Sequence, residues 1–351
     1  MKKVFACLLI ICCTVIVVLN ACNKEVTIFF VGDILLDRGV GEKIDKNGPD
    51  YPYKNIKDIL PKADIAFGNL ECPITSTGIP ALKRPYYLFK GEPYNAEALK
   101  KSGFNILNLA NNHTMDYSRE GILNTIKSLE NNGIKTVGAG EDKTSAHKPL
   151  FTEVSGTVTG FLSFLSFPVE GYIYSDKKPD VARLDLATLA DEVKSAKTGC
   201  DFLVVSFHWG SEFSNYPTES QKKAAHISIE NGADLVIGHH PHVLQGMEFY
   251  KDKPIFYSLG NFVFDKQDPV GTDETVKLKV KLRHKAINNL EISPIKIIEC
   301  QPTKPNTNED ALNILNNFEK FSNSINPSIR IDKESTSCSG NAVFYPICKA
   351  K

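Results

Sequence analysis

The sequence predicts an α/β protein built on a mostly parallel sheet. Three observations carry that expectation. Short, continuous apolar runs such as Val26 to Val31 have the pattern of strands covered on both faces, not the alternation of a half-exposed sheet. Between them lie segments with apolar residues at helical spacing, for example Ile122, Ile126 and Leu129, so strand, polar loop and helix recur in turn. The polar loops directly follow the strands, where open α/β sheets bind their ligands.

The first strand, 26–31, stops at Gly32-Asp33. A helix is expected over 54–61, halted near Pro61. The second strand, 64–67, runs into Asn69 and Glu71. Residues 76–92 read as a loop whose middle, Lys83 to Tyr87, is basic and aromatic. A helix over 94–102 ends at Gly103. The third strand, 105–109, delivers Asn111, Asn112 and His113. The helix over 118–131 is followed by Gly133, and 134–137 is a short strand.

The second half repeats the rhythm less regularly. Strands are expected over 158–164, 202–207 (ending at His208), 235–237 and 255–258 (ending near Asn261), with helices over 185–197 and 218–231. Segments 276–282 and 290–298 alternate as antiparallel strands do. Residues 301–308 have the composition of a linker, and 309–324 have the spacing of an amphipathic helix.

The chain has 351 residues, 42% hydrophobic and 23% charged, which is enough for a large core. A formal net charge of zero argues against a general electrostatic grip on nucleic acid. Met1-Lys2-Lys3 and the apolar run Val4 to Leu19, shorter than a typical span, close on Ala21-Cys22. This resembles a bacterial lipoprotein signal with a lipidated Cys22; the alternative is an uncleaved anchor. Both put the body outside the cytoplasmic membrane, at the cell surface or in the periplasm. The expected organisation is a signal over 1–22, a body over 26–300, and a linker, helix and tail over 301–351. Five cysteines of the body cannot all pair, and Cys338 with Cys348 could close a terminal loop.

Six strand-end sites hold the polar chemistry: Asp33, Asn69 with Glu71, Asn112 with His113, His208, His240 with His242, and Asn261. Gly238 is read as the turn that presents three histidines, stiffened by Pro241. His239 is read as facing solvent. Carboxylates, an amide oxygen and imidazoles form a mixed O/N set that suits one or two divalent ions such as Mn, Zn or Fe. Lys83, Arg84 and Lys90, interleaved with aromatics, are read either as a grip for an anionic chain or as a solvated loop.

The ordered set Gly32-Asp33, Asn69-Leu70-Glu71, Ala110-Asn111-Asn112-His113 with Asp116, His208-Trp209-Gly210 with Glu212, Gly238 to His242, and Ser258 to Phe262 resembles the CapA-type poly-gamma-glutamate capsule-synthesis family of the calcineurin-like metallophosphoesterase superfamily. The resemblance implies a four-layer α/β/β/α sandwich. It also implies roles: Asp33 as first metal ligand, Glu71 as bridging carboxylate, Asn112 as oxygen ligand, His208 and His240 completing one ion site, and His242 serving the other with Asp33. His113 would be the general acid or a transition-state stabiliser, and Asn69 a substrate contact; Arg84 of the basic loop and Asn261 are read beside it as substrate contacts. One departure is that the superfamily's Asp-x-His start is missing: Leu35 stands where an imidazole is usual, so the first ion is held weakly or by another ligand such as Asp37, and a one-metal or silent site is the alternative. The implied function is a metal-dependent hydrolase acting on an anionic polymer or a phosphoester. The alternative is a non-catalytic, polymer-binding member of a capsule-synthesis assembly.

Overall fold

The computed structural model describes residues 25–333, apart from 56–59, 61–62, 170 and 173, together with 342–344. The lipoprotein signal, the core of the helix expected over 54–61, and Cys338 and Cys348 lie outside the described residues. Cys72, Cys200 and Cys300 are free thiols.

The apolar runs become strands, and helices alternate with them: β1 (Val26–Ile34), α1 (Arg38–Asn47), β2 (Ile65–Leu70), α2 (Asn95–Lys101), β3 (Ile106–Asn108), α3 (Ser118–Asn131), β4 (Lys135–Val137), β5 (Ala139–Gly140) and α4 (Lys143–Ala146). The second half continues with β6 (Leu150–Val154), β7 (Thr157–Leu165), β8 (Asp180–Val181), α5 (Leu189–Lys197), β9 (Phe202–His208), α6 (Glu219–Glu230) and β10 (Leu235–His239). It closes with β11 (Leu244–Tyr250), β12 (Lys253–Leu259), β13 (Asn261–Val263), β14 (Glu274–Arg283), β15 (Ala286–Ile298), β16 (Gln301–Thr303), α7 (Asn308–Ile325) and β17 (Ala342–Phe344).

Two sheets result. One runs β16-β15-β14-β1-β2-β3-β4, with β13 beside β1 and β17 beside β15; the other runs β11-β12-β10-β9-β7-β6. The strands that end at the site, β1, β2, β3, β9 and β10, pair in parallel. Side chains alternate across each strand. Val26, Ile28 and Phe30 of β1 therefore join Val204 of β9 and Ile237 of β10 in a core between the sheets. Phe29 and Val31 face the opposite way, toward Val40 and Ile44 of α1, Leu99 of α2 and Ile122 of α3. On the far side, Leu203, Val205 and Val236 pack with Val193 of α5 and Ala224 of α6. The layers are helix, sheet, sheet, helix, as the resemblance implies.

Three features depart from the expectations. Helix α1 was not foreseen; Gly39 and Gly41 weaken its propensity, and its signal is Asp37, which caps the Arg38 N–H. Gln301–Thr303, assigned by composition to a linker, instead pairs with β15 as β16. Gly238 is not a turn residue. It lies inside β10, where a Cβ would stand 1.9 Å from the Tyr257 carbonyl oxygen. Gly32 meets the same constraint, 1.8 Å from the Gly260 carbonyl oxygen. Both glycines allow backbones to approach closely beneath the site.

Phe67 of β2 stacks on Phe161 of β7 at 5.5 Å and lies 5.6 Å from Phe30, so it ties one sheet to the other. Phe67→Ala is expected to lower unfolding free energy by about 3–5 kcal/mol, read as a reduced urea midpoint at unchanged m-value. A loss below about 1 kcal/mol would contradict the packing described.

Candidate metal centre

The parallel ladder sets the polar side chains side by side. Asp33 is in register with Asn69 on one flank and Asn261 on the other. Asn69 is in register with Asn108, and His208 with His239. All of these side chains are buried.

Asn69 is the hub. Its Nδ2 donates to Asp33 Oδ1 at 2.8 Å and to His208 Nδ1 at 3.3 Å. Its Oδ1 accepts from Asn108 Nδ2 at 2.8 Å and from Asn111 Nδ2 at 3.1 Å. His208 Nε2 then meets Asn112 Oδ1 at 2.7 Å. Beyond β10 the chain turns through left-handed backbone at His240 (φ 98°) and His242 (φ 59°). Such conformations cost about 1–3 kcal/mol each in a non-glycine residue. The His240 N–H is tied to Asp33 Oδ2 at 3.2 Å. His242 Nδ1 donates to Asn261 Oδ1 at 2.9 Å, which leaves Nε2 with a free lone pair 3.6 Å from Glu71 Oε1.

Two groups of ligand atoms gather around Glu71. Those of Asp33, Glu71 and His208 lie within 4.8 Å of one another, and so do those of Glu71, His240 and His242. His208 Nε2 is 3.8 Å from Glu71 Oε1, and His242 Nδ1 is 3.5 Å from Asp33 Oδ2. Neither oxygen of Glu71 has a hydrogen-bond partner among the described residues, and the same is true of His240 Nδ1. A buried carboxylate without donors is strongly disfavoured. Burial, then Asp33 and Glu212, push the Glu71 pKa well up. Burial also raises that of Asp33, but His239, His242 and Asn69 outweigh it and hold it below its ordinary value. Burial and the neighbouring imidazoles drive His208 well down. Burial and His242 bring His240 to about 3. Neutral imidazoles facing carboxylate oxygens that lack donors are the donor set a divalent cation needs.

Beside this cluster, His113 Nδ1 donates to Asp116 Oδ2 at 2.7 Å, and its ring stacks on Phe89 at 3.9 Å. Asp116 also pairs with Lys83 and accepts the Phe89 N–H at 2.9 Å. Burial lowers the His113 pKa against the pull of Asp116. His113 and His242 line a cavity of about 350 Å³ shared with Arg38, Phe89 and Phe264.

Asp33, Glu71, Asn112, His208, His240 and His242 thus converge, with His113 alongside. Ligand atoms of Asp33 and His208 gather on one side of Glu71 and those of His240 and His242 on the other, while His242 Nδ1 also lies 3.5 Å from Asp33 Oδ2. Other readings are corrected. His239 does not face solvent; it is fully buried beneath Asp33, with Nδ1 3.4 Å from Oδ1. Asn69 and Asn261 are buried and spent on aligning Asp33, His208 and His242, which leaves neither exposed to a substrate. Lys83 is enclosed by Asp116 and the Asn112 carbonyl, so it cannot grip an anionic chain. Arg84 is exposed and outside the cavity lining. Asp37 is no substitute ligand, because its oxygens take the Arg38 and Lys90 N–H groups. Leu35 is buried in the apolar core. Arg38, which does line the cavity, had only one sequence signal, its place one residue beyond the capping Asp37.

A family model described as "Bacterial capsule synthesis protein PGA_cap" matches residues 27–266. The "Capsule biosynthesis protein CapA" of Bacillus anthracis is 34% identical over 292 residues, covering 81% of this chain and 70% of that protein. The "PGA biosynthesis protein CapA" of Bacillus subtilis (strain 168) is 33% identical over 275 residues, covering 78% and 72%. A "Probable polyglutamine synthesis accessory protein" of Mycobacterium tuberculosis is 30% identical over 237 residues, covering 64% and 62%.

The buried imidazoles make a pH prediction for metal-stripped protein. His240 stays neutral in the fold down to about pH 3, against an ordinary value of 6.5. The unfolded chain therefore binds more protons between those limits, and stability falls as pH drops through them, by about 1.4 kcal/mol per pH unit for each such imidazole. Urea midpoints of chelator-treated protein are expected to decline stepwise below pH 6.5, and less steeply in His240→Asn. Parallel declines in the two proteins would contradict this.

Proposed function

This chain belongs to the bacterial capsule synthesis protein PGA_cap family, and from that premise we propose that it is a metal-dependent hydrolase of acidic capsule-polymer synthesis. The observation that carries the reading is Glu71, buried with both oxygens unpartnered and with His208 and His242 at 3.8 and 3.6 Å. Asp33, Glu71, Asn112, His208, His240 and His242 would hold one or two divalent ions of the Mn, Zn or Fe kind. Bound there, an ion supplies Lewis acidity and activates water near neutral pH.

The chain's own residues supply the rest. Asn261 fixes His242 with its Nε2 lone pair inward, and Asn69 fixes Asp33 and His208 together. Asp116 orients His113 and offsets part of the burial that disfavours its protonated form, which places His113, lining the cavity, to exchange a proton with a leaving group. The Lys83 charge beside Asp116 keeps that carboxylate paired when His113 is neutral. The cleaved bond is an amide of an acidic polymer or a phosphoester.

A second reading is a polymer-binding component without turnover, and Leu35 favours it. An apolar side chain in the core takes the place of an imidazole, so Asp33 has one partner fewer at its ion site. Among the described residues no helix is long and apolar enough to cross a membrane. Placement outside the cytoplasmic membrane, held by a lipid on Cys22, rests on the N-terminal sequence.

Elemental analysis of the chain from Asn23 onward, purified without a metal-affinity step, is expected to find stoichiometric divalent metal. His240→Ala and Glu71→Gln should lose it. His113→Asn should keep the metal and lower hydrolysis of generic phosphoesters or polyglutamate by about 10²–10⁴-fold. Metal-free wild-type protein would refute the reading. Metal with polymer binding and no turnover would favour the second one.

A further inference from the structure

Arg38 is built into the cavity by three strand-end loops. Its guanidinium carbon lies 4.8 Å from the ring centre of Phe89, 5.3 Å from that of Phe264 and 5.4 Å from that of Tyr86. Asp265, next to Phe264, pairs with its Nη2. The Arg38 backbone is left-handed at φ 51°, a conformation that residues with a Cβ rarely adopt. Its Nε is buried with no hydrogen-bond partner among the described residues. A guanidinium is planar by resonance and weakly hydrated, and aromatic faces limit its rotation while its free N–H groups remain able to bond oxyanions. Asp265 holds one edge of the guanidinium through Nη2.

Arg38 shares the cavity with His113 and His242. Lys266 lines it as well, and so do Glu212 and Asp268, so the cavity is no uniform trap for anions. The selective element is the fixed fork. A volume of about 350 Å³ admits a short acidic segment and not a folded partner.

We propose that Arg38 is the anchor for an oxyanion of the substrate, a carboxylate or a phosphate, carried beside the bond that is broken. Tyr86, Phe89 and Phe264 form the wall that fixes it. This rests on the hydrolase reading for the purpose of the site, and its test is a binding measurement that needs no turnover.

Calorimetric titration of the full chain with tetraglutamate and, separately, with inorganic phosphate provides that test, with metal content measured in every sample. Arg38→Met is expected to bind one or both anions about 10- to 100-fold more weakly, the loss of a charged hydrogen-bonding partner, while keeping its metal. Loss toward tetraglutamate alone assigns a carboxylate, and loss toward phosphate alone assigns a phosphate. If Arg38→Met fails to fold by circular dichroism, Arg38→Lys decides: it keeps the charge and loses the fork, and about fivefold weaker binding is expected. Wild-type affinity for both anions in a folded variant overturns the proposal. So does a loss of affinity that tracks a loss of metal, and so does a wild-type chain that binds neither anion. Metal-free wild-type protein that still binds tetraglutamate through Arg38 would refute the metal centre and leave the anchor standing.

Discussion

A carboxylate with nothing to satisfy it is the constraint around which this molecule is arranged. Glu71 lies at zero exposure with no hydrogen bond to either oxygen among the described residues. Asp33 and the imidazoles of His208, His240 and His242 crowd it from both sheets. In a low-dielectric interior a charged Glu71 opposes folding unless it takes up a proton or a cation sits among the oxygens. The sandwich can carry it because Asp33, His208 and His242 are each held by a neighbouring amide. Asn69 alone ties Asp33, His208, Asn108 and Asn111, and so couples β1, β2, β3 and β9 through one amide. The site and the edge of the sandwich are therefore a single structure.

Much of this was legible from residue order. Strands buried on both faces leave long apolar runs, so β1, β9 and β10 stand out, and each hands over a polar residue at its end. The parallel rhythm then places those ends together, which is why Asp33, Glu71, Asn112, His208, His240 and His242 were found although the chain scatters them widely. Elements without that signature were missed. Helix α1 carries two glycines in its first turns, and β16 is a three-residue edge strand written in polar residues and proline.

Side-chain roles were harder to read than positions. Asn69 and Asn261 belong to the residue type that contacts substrates, and only the hydrogen-bond geometry shows them spent on alignment. Lys83 looked like surface charge, yet it is buried against Asp116. His239 alternates away from His240 as expected, but the side it faces is the gap between two sheets and not water. Gly238 precedes a turn without making it; it is glycine because the Tyr257 carbonyl of the neighbouring β12 leaves no room for a Cβ.

The direction of β1 sets which way the molecule would present itself if Cys22 carries a lipid. Val26 begins the strand only four positions after that cysteine, whereas Asp33 lies roughly 23 Å farther along it at about 3.3 Å per residue. The mouth of the cavity would then lie at the far end of β1 from that anchor.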